Sequence, residues 1–146
     1  VSLPARPAAA VPLQSPIANA CISSPFGPRP RVGPRAAIDH TGIDLPAAAG
    51  APVRAAAPGR VEAVRHRGAL GLEIDLRHAD GSMTRYAHLG AVAASIANGR
   101  KIVAAGAVLG RVGRSGVTYG THLHFELHLN GKPVDAAPYL GLVRCK

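Results

Sequence analysis

Tryptophan is absent from this chain of 146 residues, and Tyr and Phe together number only five. Base stacking needs exposed aromatic rings, so this scarcity, with arginines scattered along the chain, argues against specific nucleic-acid binding. No apolar run reaches the roughly 18 residues of a membrane-spanning helix. The helical zinc motif H-E-x-x-H is missing, which excludes a thermolysin-type arrangement with a glutamate base. Cysteine occurs twice, at Cys21 and Cys145, and neither belongs to a C-x-x-C pair, which argues against a thiolate zinc site. In an oxidising compartment one intrachain Cys21–Cys145 bridge is expected to join the ends of the chain. The contrary reading is two free thiols in a reducing cytosol. The first residue is Val, as expected of a mature or trimmed chain.

Gly and Pro are plentiful, at 17 and 13 residues, and many turns between short strands follow from that. The length suits one domain whose core is built from Val, Ile, Leu and Ala. The formal charge of +9 comes mostly from Arg. It favours polyanionic surroundings such as nucleic acid, anionic lipid or an acidic wall polymer, or else it is a solvated basic surface.

Residues 1–20 are rich in Ala and Pro without periodicity and read as an extended arm or linker. Residues 21–146 then form the domain proper. From Ile38 onward short strands alternate with turn signals. Strands are expected at 53–56, 60–66, 72–78, 83–89, 101–104, 108–112 and 122–129. Residues 91–97 read as one helical turn or a loop. Asp80-Gly81 and Asn130-Gly131 are hairpin signals. In residues 72–78, Leu72, Ile74 and Leu76 share one face, and Glu73, Asp75 and Arg77 the other. This spacing of short strands predicts an all-β sandwich or barrel.

The segment His122-Leu-His-Phe-Glu-Leu-His-Leu129 carries the first chemical signal. Strand alternation turns Leu123, Phe125, Leu127 and Leu129 to the core and His122, His124, Glu126 and His128 to the opposite face. Two imidazoles at i, i+2 can converge on one metal or one substrate atom. Glu126 on that face reads as an outer partner of the site or a surface charge. His40-Thr-Gly-Ile-Asp44 is the second signal. An extended chain puts His40 and Asp44 on one side, and Gly42 permits a bend or the close approach of another chain. Two His and one Asp would leave a tetrahedral zinc one open position, the mark of a catalytic site. His88, at the end of a hairpin strand, is the third. His66 and His78, at strand ends near turns, read as structural or solvated.

These segments, in this order, resemble peptidase family M23, the LytM or lysostaphin-type domain, from about Ile22 to Leu140. His40-Thr-Gly-Ile-Asp-Leu resembles its H-x-G-x-D motif. Ser24-Pro-Phe-Gly-Pro-Arg, Gly50 to Val61, His78-Ala-Asp-Gly, Tyr86-Ala-His-Leu and Gly113 through Glu126 resemble its other signatures. The resemblance implies a mainly β fold of antiparallel sheets, a sandwich-like single domain with a metal groove and little helix. It implies one Zn2+ per chain held by His40, Asp44 and His124, with His88 and His122 as catalytic histidines. It further implies a metalloendopeptidase that hydrolyses peptide crosslinks of peptidoglycan, a monomer in the periplasm or secreted. The rival is a non-catalytic LytM-type domain that binds peptidoglycan or activates a wall amidase. Such domains lose site residues, whereas all five positions are filled here. Many active members carry a Tyr shortly before the first zinc His. Residues 33–39 contain none, and Arg35 and Tyr119 are the substitutes considered.

Overall fold

The computed structural model describes residues 12–28, 39–113 and 120–146. The fold is mainly antiparallel β, as the strand spacing predicts. Two two-residue strands, β1 (Gly27–Pro28) and β2 (Asp39–His40), pair with each other. The remaining strands belong to one sheet: β3 (Ile43–Pro46), β4 (Pro52–Arg54), β5 (Gly59–Arg67), β6 (Gly71–Arg77), β7 (Met83–Val92), β8 (Ile102–Val103), β9 (Val108–Val112), β10 (His122–Leu129) and β11 (Lys132–Val134). Its main path runs β11-β10-β7-β6-β5-β8. Among the described residues helix is confined to single turns. The expected helical turn is α1 (Ala94–Ala97), and α2 (Ala137–Leu140), with Pro in its first turn, was not foreseen.

Both hairpin signals act as read. Asp80 and Gly81 lie in the β6–β7 turn, and Asn130 and Gly131 take positive φ (52° and 78°) between β10 and β11, as a type I′ turn requires. The long strand β7 has two sets of partners. Its first half lies between β6 and β10, and its second half pairs with β9, which also pairs with β4. The sheet thereby turns over a core of Ile43, Leu45, Val53, Ile74, Leu76, Tyr86, Leu89, Leu109, Leu123 and Phe125, all fully buried.

Alternation along β6 holds, but its polar face is not solvated. Glu73 and Asp75 are as buried as Ile74 and Leu76. Burying a carboxylate is costly without a partner, and arginines on both neighbouring strands supply one. Arg65 on β5 donates to Glu73 (2.7 Å) and Asp75 (2.8 Å), and Arg85 on β7 grips both Asp75 oxygens (2.8 and 3.0 Å). The cross-strand register places Arg65 opposite Glu73 and Arg85 opposite Asp75.

His78 proves structural. Its Nδ1–H donates to the Pro58 carbonyl (2.7 Å), and Nε2 bonds Thr84 Oγ1 (2.8 Å). Thr84 in turn meets the Tyr86 hydroxyl (2.8 Å), which accepts from the Ala56 N–H (3.0 Å). This chain satisfies polar groups inside the core. Burial pushes the Tyr86 hydroxyl pKa up to about 12. His66 is exposed.

The described part of the N-terminal stretch, residues 12–20, lies against the sheet. Ile17 is buried in the core, the Gln14 N–H reaches Ala56 O (2.9 Å), and Pro16 O accepts from the Arg54 N–H (2.8 Å). The Cys21–Cys145 disulfide is present. Beside it the Ile22 N–H donates to Val143 O (2.9 Å) and the Cys145 N–H to Ile22 O (3.0 Å). Among the described residues no helix is long and apolar enough to cross a membrane.

The bridge spans 124 residues of sequence, so its main effect is to restrict the unfolded chain. Replacing both cysteines by serine should lower stability by about 2–5 kcal/mol in denaturant unfolding. An unchanged midpoint would show that the bridge contributes nothing.

Candidate metal centre

Backbone pairing brings the two sequence motifs together. Asp44 on β3 and His124 on β10 are direct cross-strand partners, so their side chains stand on one face of the sheet. His40 reaches the same point from β2, across the short Thr41-Gly42 connection. Gly42 makes that approach possible. A methyl group there would strike the Phe125 carbonyl oxygen and the Glu126 and His124 side chains. Of the two readings at Gly42, a bend or the close approach of another chain, the second is met here, and the approaching strand is β10.

Three ligand-type atoms meet. His40 Nε2 lies 3.2 Å from His124 Nδ1 and 3.2 Å from Asp44 Oδ1, and His124 Nδ1 lies 3.0 Å from Asp44 Oδ1. Bonds of about 2.0–2.2 Å at tetrahedral angles separate neighbouring donor atoms by about 3.3 Å. The triangle here is within a few tenths of an ångström of that. Among the described residues these three form a group that could hold a metal ion.

Each imidazole has one nitrogen committed elsewhere, which aims the other inward. The His40 Nδ1–H donates to the Pro25 carbonyl (2.9 Å). The His124 Nε2–H donates to Glu126 Oε2 (2.7 Å). The His122 Nδ1–H donates to the Gly120 carbonyl (3.1 Å), leaving its Nε2 3.6 Å from Asp44 Oδ1. The two carbonyls and the carboxylate can only accept, so all three ring orientations are fixed.

His88 completes the cluster against strict alternation. Arg85 shares the face of its cross-strand partner Glu126, so a regular strand would turn His88 to the opposite, core side. Instead the His88 backbone adopts φ 63°, and the pairing with β6 slips around it, Tyr86 facing Ile74 but Leu89 facing Leu72. Its ring stands edge-on to His122 (centroids 5.0 Å apart) and to His124 (5.7 Å). A left-handed non-glycine residue is costly to hold and tends to mark a working site. All five residues singled out in the sequence therefore gather at one place. Arg35 and Tyr119 lie outside the described residues.

Charge in the cluster follows from burial set against close partners. Burial alone would raise the Asp44 pKa, but hydrogen bonds from His124 and His40 outweigh it and hold the carboxyl well below the usual carboxylate range. Burial would likewise lower His124, yet Asp44 and Glu126 on either side raise it to about 9. His122 is lowered, chiefly by burial.

Residues 38–136 match peptidase family M23. The chain belongs to that family. It is 42% identical over 120 residues to the DD-carboxypeptidase/endopeptidase Mpg of Neisseria meningitidis, an alignment covering 82% of this chain and 27% of that protein. The chain thus spans about a quarter of the length of that curated relative. A zinc-containing peptidase from Vibrio cholerae superposes with a TM-score of 0.74 at 30% identity, over 87% of this chain and 39% of that one. The catalytic domain of the antimicrobial peptidase lysostaphin from Staphylococcus simulans superposes with a TM-score of 0.72 at 27% identity. That match covers 84% of this chain and 93% of the lysostaphin domain, so the aligned part of this chain corresponds to almost all of it.

The sequence did not disclose which groups orient the histidines. Pro25 and Gly120 act through backbone carbonyls, which side-chain patterns do not show. Glu126 did give a signal, its place two residues from His124 on the same strand face.

Metal binding must displace the proton that His124 holds up to about pH 9. Affinity for a divalent cation should therefore climb roughly tenfold per pH unit between about pH 7 and 9, then level off. Competition titrations across that range, with calorimetry at pH 7 in buffers of different ionisation enthalpy, should show about one proton released per ion. A flat affinity profile would show that His124 carries no such proton over this range in the metal-free protein.

Proposed function

We propose that this chain is a zinc-dependent endopeptidase that cuts peptide crosslinks of bacterial peptidoglycan outside the cytoplasm. The observation that carries this reading is the convergence of His40, Asp44 and His124 on one triangle of donor atoms, with His88 and His122 beside it. An oxygen- and imidazole-bearing set of three suits zinc with a position left for reactants. When bound, the ion supplies Lewis acidity, polarising a carbonyl and making water more acidic.

The chain's own residues supply the rest. His122, held by Gly120 with Nε2 facing the cluster, is kept neutral by burial, the form in which an imidazole can act as a base. His88 stands across from it. Between them the two rings take the proton of an attacking water and return one to the leaving amine, and either can hydrogen-bond the developing oxyanion. Retention of all five residues separates this chain from LytM-type domains that have lost site residues. A relative from Vibrio cholerae, 36% identical over 117 residues, is named a peptidoglycan DD-endopeptidase, which supports peptidoglycan peptides as the substrate class. The disulfide and the basic charge fit an oxidising, polyanion-rich envelope.

Purified crosslinked muropeptides should be cut, and a chelator should stop the cutting. His122→Ala should keep zinc but lose about 10²–10⁴-fold in rate. His124→Ala should lose both zinc and activity. Mass spectrometry of the digest and metal analysis of each variant read these outcomes. Binding of muropeptides without cleavage would replace the peptidase reading with a binding module.

A further inference from the structure

Glu126 is the centre of a second cluster, behind the one that meets the metal. We propose that Glu126 is a positioning residue that holds His124 in its ligating orientation and braces the two metal-binding motifs against each other. The inference rests on the zinc reading above and concerns how the site is held rather than what it cuts.

The carboxylate is almost fully buried, at 2% exposure, which rules out a surface charge. Oε2 accepts from His124 Nε2 (2.7 Å) and from the Thr41 hydroxyl (2.9 Å). Oε1 accepts from His128 Nε2 (2.7 Å) and from Arg85 Nη1 (3.3 Å). A carboxylate has about four acceptor positions, and four donors fill them, so the group has little freedom to rotate. Arg85 is itself pinned by its two-point grip on Asp75. The brace therefore runs from β6 through β7 to β10.

Two consequences follow from this geometry. With Nε2–H bound to Glu126, only Nδ1 of His124 can face His40 and Asp44. A ring flip would take one of four donors from a buried carboxylate, which is expensive. Thr41, which lies between the ligands His40 and Asp44, is tied to the same oxygen as His124. One carboxylate oxygen thereby joins the H-x-G-x-D segment to the H-x-H strand. Glu126 stands on the side of the His124 ring away from the metal-facing nitrogen. Its part is played through His124, not on substrate.

A carboxylate is required rather than an amide. Gln at 126 keeps the shape but offers one acceptor oxygen, and its NH2 would face a donor. The test compares wild type with Glu126→Gln on the full chain. Zinc affinity is measured by competition with a chelator of known strength, the cobalt(II)-loaded protein by its visible absorption, and the chelator-treated protein by thermal unfolding. Glu126→Gln should bind zinc about 10–100-fold more weakly. Its cobalt band should shift or weaken, and the loss of zinc affinity should exceed the loss of metal-free stability read by thermal unfolding. Wild-type zinc affinity and an unchanged cobalt spectrum in Glu126→Gln would overturn the proposal. So would a loss of affinity matched by an equal loss of metal-free stability, which would make Glu126 a folding residue only. A wild-type protein that binds no zinc would instead sink the functional reading itself, so the two failures are distinguishable.

Discussion

Asp44 and His124 face each other across the β3–β10 ladder, and the site depends on that pairing. A slip of one residue in register would turn one of the two side chains to the opposite face of the sheet. The register is held by the core beneath it. Ile43 and Leu45 on β3 and Leu123 and Phe125 on β10 are fully buried on the other face. The hydrophobic effect thus fixes a polar geometry indirectly, because strand alternation links the two faces.

Around that pair, orientation comes from acceptors of different kinds. Backbone carbonyls of Pro25 and Gly120 hold His40 and His122, and a carboxylate holds His124. A carbonyl suits a ring near an irregular segment, where the backbone has groups to spare. In the middle of β10 the backbone is already engaged with β3 and β7, so a side chain must serve. That side chain needs charge partners of its own once buried, which accounts for the arginines of β5 and β7 and the carboxylates of β6.

The N-terminal segment connects the site to the rest of the chain. Ser23 and Ser24 exchange backbone hydrogen bonds with Asp44 (2.9 and 3.0 Å), one residue on Pro25 holds His40, and one residue back Ile22 is strapped to residues 143–145 beside the disulfide. The M23 architecture here therefore supports its metal-facing residues from two directions, the end clasp and the buried ion network.

The period-two pattern of residues 122–129 determined by itself that three imidazoles and a glutamate share one strand face, because side-chain direction in a strand is local. The same locality made the short strands and the two hairpin turns legible, whereas at Gly42 it left a bend and a point of close approach both open. Family resemblance then selected His40, Asp44, His88, His122 and His124. What the sequence left open was decided by contacts distant along the chain. The buried state of Glu73 and Asp75 depends on which arginines the neighbouring strands present, and alternation alone looks the same for a solvated face. The turn of His88 into the cluster depends on a positive φ and a slipped register against β6, which no periodicity encodes. Glu126 could be read as a surface charge or an outer partner until the register set Arg85 beside it and Gly42 let Thr41 approach. Only then did four donors converge on one carboxylate, since hydrogen bonding depends on separation in space and not along the chain.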